Sequence, residues 1–284
     1  MMNSNIIQER QNERTSLKVQ YAARVCFNSA EKYNHWAWIA CLISAFSVFL
    51  PNSWPVYIIN GIPGIADIFA FVFSLMTAYQ VNCASTLRKY FDSYVLNIQL
   101  NQFSETELRE IREKAEKIYL RNPNKATTQM VNTGNDSPPG VRDWYVFSKY
   151  YDGINAQFEC QRQNTWWNSK MITVRIVATV LMLILVGGIF LVFLINNSIL
   201  NILLCSVGIL IKMCERVIEN WRYFHISHQI EGSQQTLESH PTEEGIEKLQ
   251  NLIDERRSIN VLELGWFHNK FANKFSKLYK NIVS

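Results

Sequence analysis

From Val177 to Met213 the chain reads VATVLMLILVGGIFLVFLINNSILNILLCSVGILIKM, apolar almost without relief. Between Arg175 and Lys212 lie 36 residues without an acidic or basic side chain, and polarity rises only near Asn196-Asn197-Ser198. A second uncharged block covers residues 33–66 and resumes over 68–87, broken only by Asp67. A helix of a water-soluble domain keeps a wet face and so spreads charge along its length. Long uncharged blocks set between charged stretches predict bilayer segments instead. Four helices follow: Tyr33–Leu50, closed by Pro51; Ile65–Val81, with an alternative start upstream near Val56; about 172–195; and 199–213. At 1.5 Å per residue, a hydrocarbon core of about 30 Å takes roughly 20 residues. The third helix meets that length, and the other three draw on flanking residues or local thinning.

Charge gives these helices a direction. Lys and Arg number 5 in residues 1–35, 12 in 82–170 and 9 in 214–284, with Arg175 and Lys212 at the inner ends of helices three and four. The links 51–64 and 196–198 hold none of the 28. The positive-inside rule places both termini and the middle region in the cytoplasm, with two tight hairpins facing out. A hairpin buried in a soluble core has no reason to produce this asymmetry. Trp36, Trp38, Trp54, Tyr57, Trp166 and Trp167 fall near the expected boundaries, as interfacial aromatics do. The expected fold is an all-α membrane protein: four transmembrane helices as two hairpins, a helical cytoplasmic insert between them, and a helical cytoplasmic tail. The corresponding divisions are an N-terminal arm 1–32, hairpin one 33–81, the insert 82–171, hairpin two 172–213 and the tail 214–284.

Outside the blocks, the helical period continues. Ala84, Leu87, Phe91, Tyr94, Val95 and Ile98 extend helix two inward. Ser104 with Glu107 reads as a capping box, opening a helix that Asn122-Pro123 ends. Residues 122–140 read as a loop from their Asn, Thr, Gly and Pro content. A helix from about Asp152 runs straight into helix three, helix four continues outward towards Ile230, and the tail carries helices near 243–257 and 264–281. The last sets Trp266, Phe267, Phe271, Phe275, Leu278 and Tyr279 against Lys270, Lys274, Lys277 and Lys280. Such a face suits an anionic membrane lipid surface or packing on the cytoplasmic layer, and the pattern leaves both open.

Catalytic signatures are missing: there is no GxGxxG, phosphate loop, GxSxG elbow or HExxH, so no catalytic residue, cofactor or metal is assigned. The six cysteines show neither a CxxC pair nor metal spacing, and His225 with His228 lacks companions to complete a site. The net charge of +4 is modest, and a nucleic-acid polymer is not an expected partner. Asp67 is the one acid inside a crossing, where an ionisable group is costly; it reads either as a pore mouth or as a group reaching water at the outer interface. Three cytoplasmic stretches stand out: YFDSYVL (90–96), RDWYVF (142–147) and CQRQNTWWN (160–168). Aromatics beside Arg, Gln and Asn can stack on bases and hold phosphates. They can equally be the core of the soluble layer, with Arg162 pairing with Asp92 to brace it.

In these stretches the chain resembles a known family. FD at 91–92, VL at 95–96, DWY at 143–145 and QRQN at 161–164 just ahead of helix three, on a plan of two hairpins flanking a helical insert, are similar to the four-transmembrane pore-forming effectors of cyclic-oligonucleotide anti-phage signalling, CBASS. The resemblance spans roughly residues 15 to 280. It implies a cyclic oligonucleotide, made by a partner nucleotidyltransferase, as activating ligand. It also implies a homo-oligomer that breaches the inner membrane of the infected bacterial cell. Arg142, Trp144, Tyr145, Arg162 and Asn164 are the expected ligand contacts, the aromatics stacking and the arginines holding phosphate. A constitutive channel or transporter is the alternative, although the apolar mid-membrane turns lack the broken helices that transporters use.

Overall fold

The computed structural model describes residues 4–50, 53–146, 151–196 and 199–260. The described residues form eight α-helices and no strand: α1 Ser4–Asn12, α2 Arg14–Phe46, α3 Val56–Leu96, α4 Glu105–Arg121, α5 Pro123–Val131, α6 Gly153–Asn196, α7 Ile199–Ser239 and α8 Glu243–Ser258. The expected tail helix over 264–281, with Phe147, Asn197 and Ser198, lies outside them.

Four helices are far longer than a single wet or dry layer requires. α2 has 33 residues, α3 41, α6 44 and α7 41, which at 1.5 Å per residue is roughly 50 to 65 Å each. Each has two halves in different surroundings. In one half, Leu17, Val19, Ala22, Ala23 and Cys26 of α2 pack on Cys83, Ala84, Leu87, Phe91 and Val95 of α3 in a large core that also takes in Ile226 and Ile230 of α7 and Ile246, Leu249 and Ile253 of α8. In the other half, the described residues form a separate buried cluster of Ala40, Cys41, Ala45, Ala70, Val186, Ile209 and Met213. Around it stands a belt of exposed apolar residues, among them Ile39, Ile43, Phe46, Ile65, Phe71, Leu75, Leu181, Ile184, Leu185 and Ile211. A soluble monomer does not present so large a contiguous apolar surface to water.

Small residues set the α2–α3 spacing along its whole length. Ala30, Ala37, Ala40 and Ala45 of α2 and Ala66, Ala70 and Ala84 of α3 are all buried. The sulfurs of Cys26 and Cys83 approach to 3.4 Å as free thiols. Residues without bulk at a helix seam let backbones approach closely, the arrangement favoured between helices in lipid.

By length and composition, one described helical segment suffices to cross a membrane: Tyr57–Leu96, with a mean hydropathy of 1.8 over its most apolar stretch. Ile176–Gly188 is a shorter apolar helix. Trp36, Trp54 and Tyr57 are exposed, as expected of interfacial aromatics, whereas Trp38 packs against the small apolar cluster.

Several boundaries differ from the sequence pattern. Helix one starts at Arg14 rather than Tyr33, because the polar-looking arm hides a buried stripe that includes Ser16, Gln20 and Ala23. It ends at Phe46, before a single 3₁₀ turn over Ser47–Phe49. Residues 123–131 are helical rather than looped: the Asn122 side chain accepts from the Lys125 amide, and Pro123 opens the helix where no N–H is needed. The Ser104–Glu107 capping box forms as expected. α3 ends where Asn97 adopts a left-handed conformation, φ 54°. In the turn after α5, a side chain at Gly140 would overlap the Asn132 carbonyl, which accepts from the Arg142 amide, so this close approach requires glycine.

Candidate functional site

The insert's most unusual feature is a short extended ribbon, Arg142–Val146, threaded among helices. Its backbone is bridged to Thr133 at Arg142; beyond that point the buried N–H and C=O groups need other partners. Amide side chains supply them. Gln11 of α1 accepts from the Tyr145 N–H at 2.8 Å and donates to its carbonyl at 3.2 Å. Gln163 of α6 does the same across Val146 N–H and the Trp144 carbonyl, at 2.8 and 3.1 Å. Asp143 sits at φ 50°, uncommon for a side-chain-bearing residue. There its N–H donates to Asn12 Oδ1, and its carboxylate accepts from Gln8 and Asn12.

The ribbon delivers Tyr145 to a fully buried carboxylate. Asp92, on α3, has no exposed surface. Its Oδ1 accepts from the Tyr145 hydroxyl at 2.5 Å; its Oδ2 accepts from Arg257 at 2.6 Å and Gln250 at 3.3 Å, both on α8. Asn164 of α6 donates to the same Tyr145 oxygen at 2.9 Å, and Gln161 of α6 donates to Gln250 at 3.1 Å. One carboxylate thus ties together α3, the ribbon, α6 and α8. Burial and the Asp92 charge hold the Tyr145 hydroxyl far above the usual phenol range, so it remains a neutral donor. Asp254 shares Arg257 at 3.2 Å and Gln250 at 3.1 Å, but its Oδ2 is buried without a hydrogen bond. Burial pushes its pKa up to about 6 against the pull of Arg257, with the Asp92 charge adding to the rise.

The expected ligand residues divide. Trp144, Tyr145 and Asn164 come together. Tyr145, however, is 1% exposed and stacks on Phe91, which makes it a strut of this cluster. Arg142 is exposed at the surface end of the ribbon. Arg162 does not pair with Asp92: it bonds Glu159 at 3.0 Å and approaches Glu238 at 3.9 Å, because its position on α6 turns it towards α7. The cation of Asp92 is Arg257, which lies 165 residues further along the chain, beyond the reach of any local pattern. Arg88 was also invisible to spacing; its guanidinium carbon sits 3.9 Å from the centroid of the Trp144 ring. Asp67 lies away from this cluster, at the junction of α2, α3 and α7. It is held by Ser44 and set against Gly208, where its carboxylate leaves no room for a side chain. Four residues further along α7, Lys212 donates to Ser74 of α3 at 2.9 Å.

A family model described as the SMODS-associating 4TM effector domain matches residues 5–281, nearly the whole chain. The chain belongs to this family. No curated protein and no solved structure matches it. The SMODS-associating 4TM effector family is one of membrane proteins, and its name ties it to a cyclic-oligonucleotide synthase system. In this member, α2, α3, α6 and α7 all carry residues of the exposed apolar belt.

Removing the Asp92 charge leaves Arg257 buried with a single neighbouring acid. Asp92→Asn is expected to cost about 3 kcal/mol of stability in detergent and Tyr145→Phe about 2 kcal/mol. Arg142→Ala, at the surface, should stay within about 0.5 kcal/mol. Chemical unfolding followed by tryptophan fluorescence checks that order. Because Asp254 binds its proton more tightly when folded, its contribution favours the fold at low pH. That contribution fades as pH rises from about 4, the usual carboxylate range, towards about 6. Asp254→Asn should therefore flatten the decline of melting temperature across that window.

Proposed function

We propose that this protein is a gated membrane effector of anti-phage defence. In this reading, a cyclic oligonucleotide from the partner synthase binds the cytoplasmic layer, and the protein then assembles and permeabilises the inner membrane. Family membership supplies the class. The observation that carries the mechanism is the continuity of α3 and α6. Each passes without a break from the polar cluster around Asp92, through Gln161 and Asn164 on α6, into residues of the exposed apolar belt. A displacement of the cluster would be delivered to the membrane half by rigid helices rather than by loops.

On this reading, α2, α3, α6 and α7 supply four crossings as two hairpins, with both termini in the cytoplasm where the positive charge lies. Trp144 and Asn164 face the ligand, with Arg142 at the rim and Arg162 able to exchange its glutamate partners for phosphate. Ala178, Gly187 and Gly188 are exposed on α6 and offer a small-residue surface for a second copy. Asp67 marks the pore mouth. The alternative, a constitutive channel, would use the same belt without the gate.

Dye release from liposomes containing the purified protein separates these readings. Release only on addition of one member of a panel of cyclic di- and trinucleotides is the expected result. Leakage independent of nucleotide would indicate a constitutive channel. A bilayer that stays sealed throughout would contradict direct gating by the panel.

A further inference from the structure

Arg88 is the charged group that the buried cluster leaves over. Of three neighbouring guanidinium groups, Arg257 is committed to Asp92 and Asp254. Arg24 donates to the carbonyl oxygens of Pro139 at 2.6 Å and Gly140 at 2.8 Å. Arg88 rests over the Trp144 indole; its Nε is buried without a hydrogen bond, and among the described residues no carboxylate lies within ion-pair distance of it. Stacking on an indole satisfies the face of a guanidinium but none of its five N–H donors, which point out from its edge. Burial first, and then the charge of Arg257, push the Arg88 pKa down to about 9 against the opposing charge of Asp92; the Arg24 charge adds to the fall. A cation kept in that setting with no ion pair of its own is unfavourable, and an anion at its edge would relieve it.

We propose that the edge of Arg88, with its face fixed on Trp144, is the phosphate grip of the sensor. It would take the non-bridging oxygens of one phosphodiester in a cyclic oligonucleotide, with Arg24 adding to the local positive potential. A planar fork suits two phosphate oxygens at once, and a pre-stacked fork loses little freedom on binding. The proposal rests on the sensing reading above and moves the phosphate contact inward from Arg142 and Arg162. It also gives Trp144 a defined task, which is to hold the fork in place. Because Arg88 and Asp92 are four residues apart on α3, a ligand on Arg88 pulls on the same turn of helix that anchors the buried cluster.

The test uses the full-length protein carrying 5-fluorotryptophan, in phosphatidylcholine nanodiscs, with the fluorine resonance of residue 144 assigned by Trp144→Phe. Inorganic pyrophosphate and a panel of cyclic di- and trinucleotides of adenosine and guanosine are titrated in turn, and binding of radiolabelled panel members is measured in parallel. The residue 144 resonance should shift saturably with pyrophosphate and with at least one cyclic nucleotide. Arg88→Met should weaken that nucleotide's binding at least tenfold without lowering the melting temperature of the free protein. Arg88→Lys, which keeps the charge and loses the fork, should be intermediate, and it carries the comparison if the Met variant does not fold. No shift with any anion, or nucleotide binding equal in wild type and both variants, would overturn the proposal. A response to pyrophosphate with no cyclic nucleotide bound would keep Arg88 as an anion seat and remove the sensing reading. A shift already present when phosphatidylglycerol replaces phosphatidylcholine would assign the seat to a lipid headgroup and overturn the oligonucleotide assignment.

Discussion

A chain crossing a bilayer cannot release its backbone hydrogen bonds on the way, because lipid offers no replacement partners. That constraint shapes this protein more than any single contact. In the proposed membrane placement it favours long uninterrupted helices, and α2, α3, α6 and α7 are between about one and a half and just over two times the length that a 30 Å hydrocarbon core needs. The surplus is not idle: it forms the larger of the two cores, where Leu87, Phe91, Ile226 and Ile253 are buried as in any soluble domain. The same rods present Phe71, Ile184 and Ile211 outward in their other halves. Water would penalise that belt heavily, whereas lipid does not.

A buried polar cluster sits in the half that holds the larger core. Both Asp92 oxygens are matched, by Tyr145 on one side and by Arg257 and Gln250 on the other. Networks of this kind specify one arrangement of the elements they join, since a partial match is costly. The ribbon depends on the same logic: beyond its bridge at Arg142, Gln11 and Gln163 pair with its backbone. Among the described residues, the buried atoms in and beside this network that lack a hydrogen bond include Asp254 Oδ2, Gln161 Oε1 and Arg88 Nε.

The parts of the fold governed by local pattern were legible in the sequence. The Ser104–Glu107 capping box, the run of helix beyond Val81, the continuity from about residue 153 to 195 and the helix near 243–257 each follow from spacing within a few turns. Two elements were concealed by composition. The first half of α2 packs through small and polar residues such as Ser16, Gln20 and Ala23, which give little hydrophobic periodicity. α5 is built on Asn122, Pro123 and threonines, which read as turn chemistry unless the cap is seen. Of the candidate site, the aromatics and Asn164 could be found, because their residue types are unusual together. The pairing of Asp92 with Arg257, and the stacking of Arg88 on Trp144, join residues far apart in the chain, and no spacing rule reaches them.

The division of each long helix between bilayer and water is most directly measured by nitroxide accessibility in reconstituted membranes. Labels would be placed at Phe71, Ile184 and Ile211 on the belt, and at Leu120 and Val131 on the soluble layer, all of which are exposed. The belt positions should collide readily with oxygen and scarcely with a water-soluble nickel chelate, while Leu120 and Val131 show the reverse. Belt labels that meet the chelate as freely as Leu120 would contradict the placement of these helices in lipid.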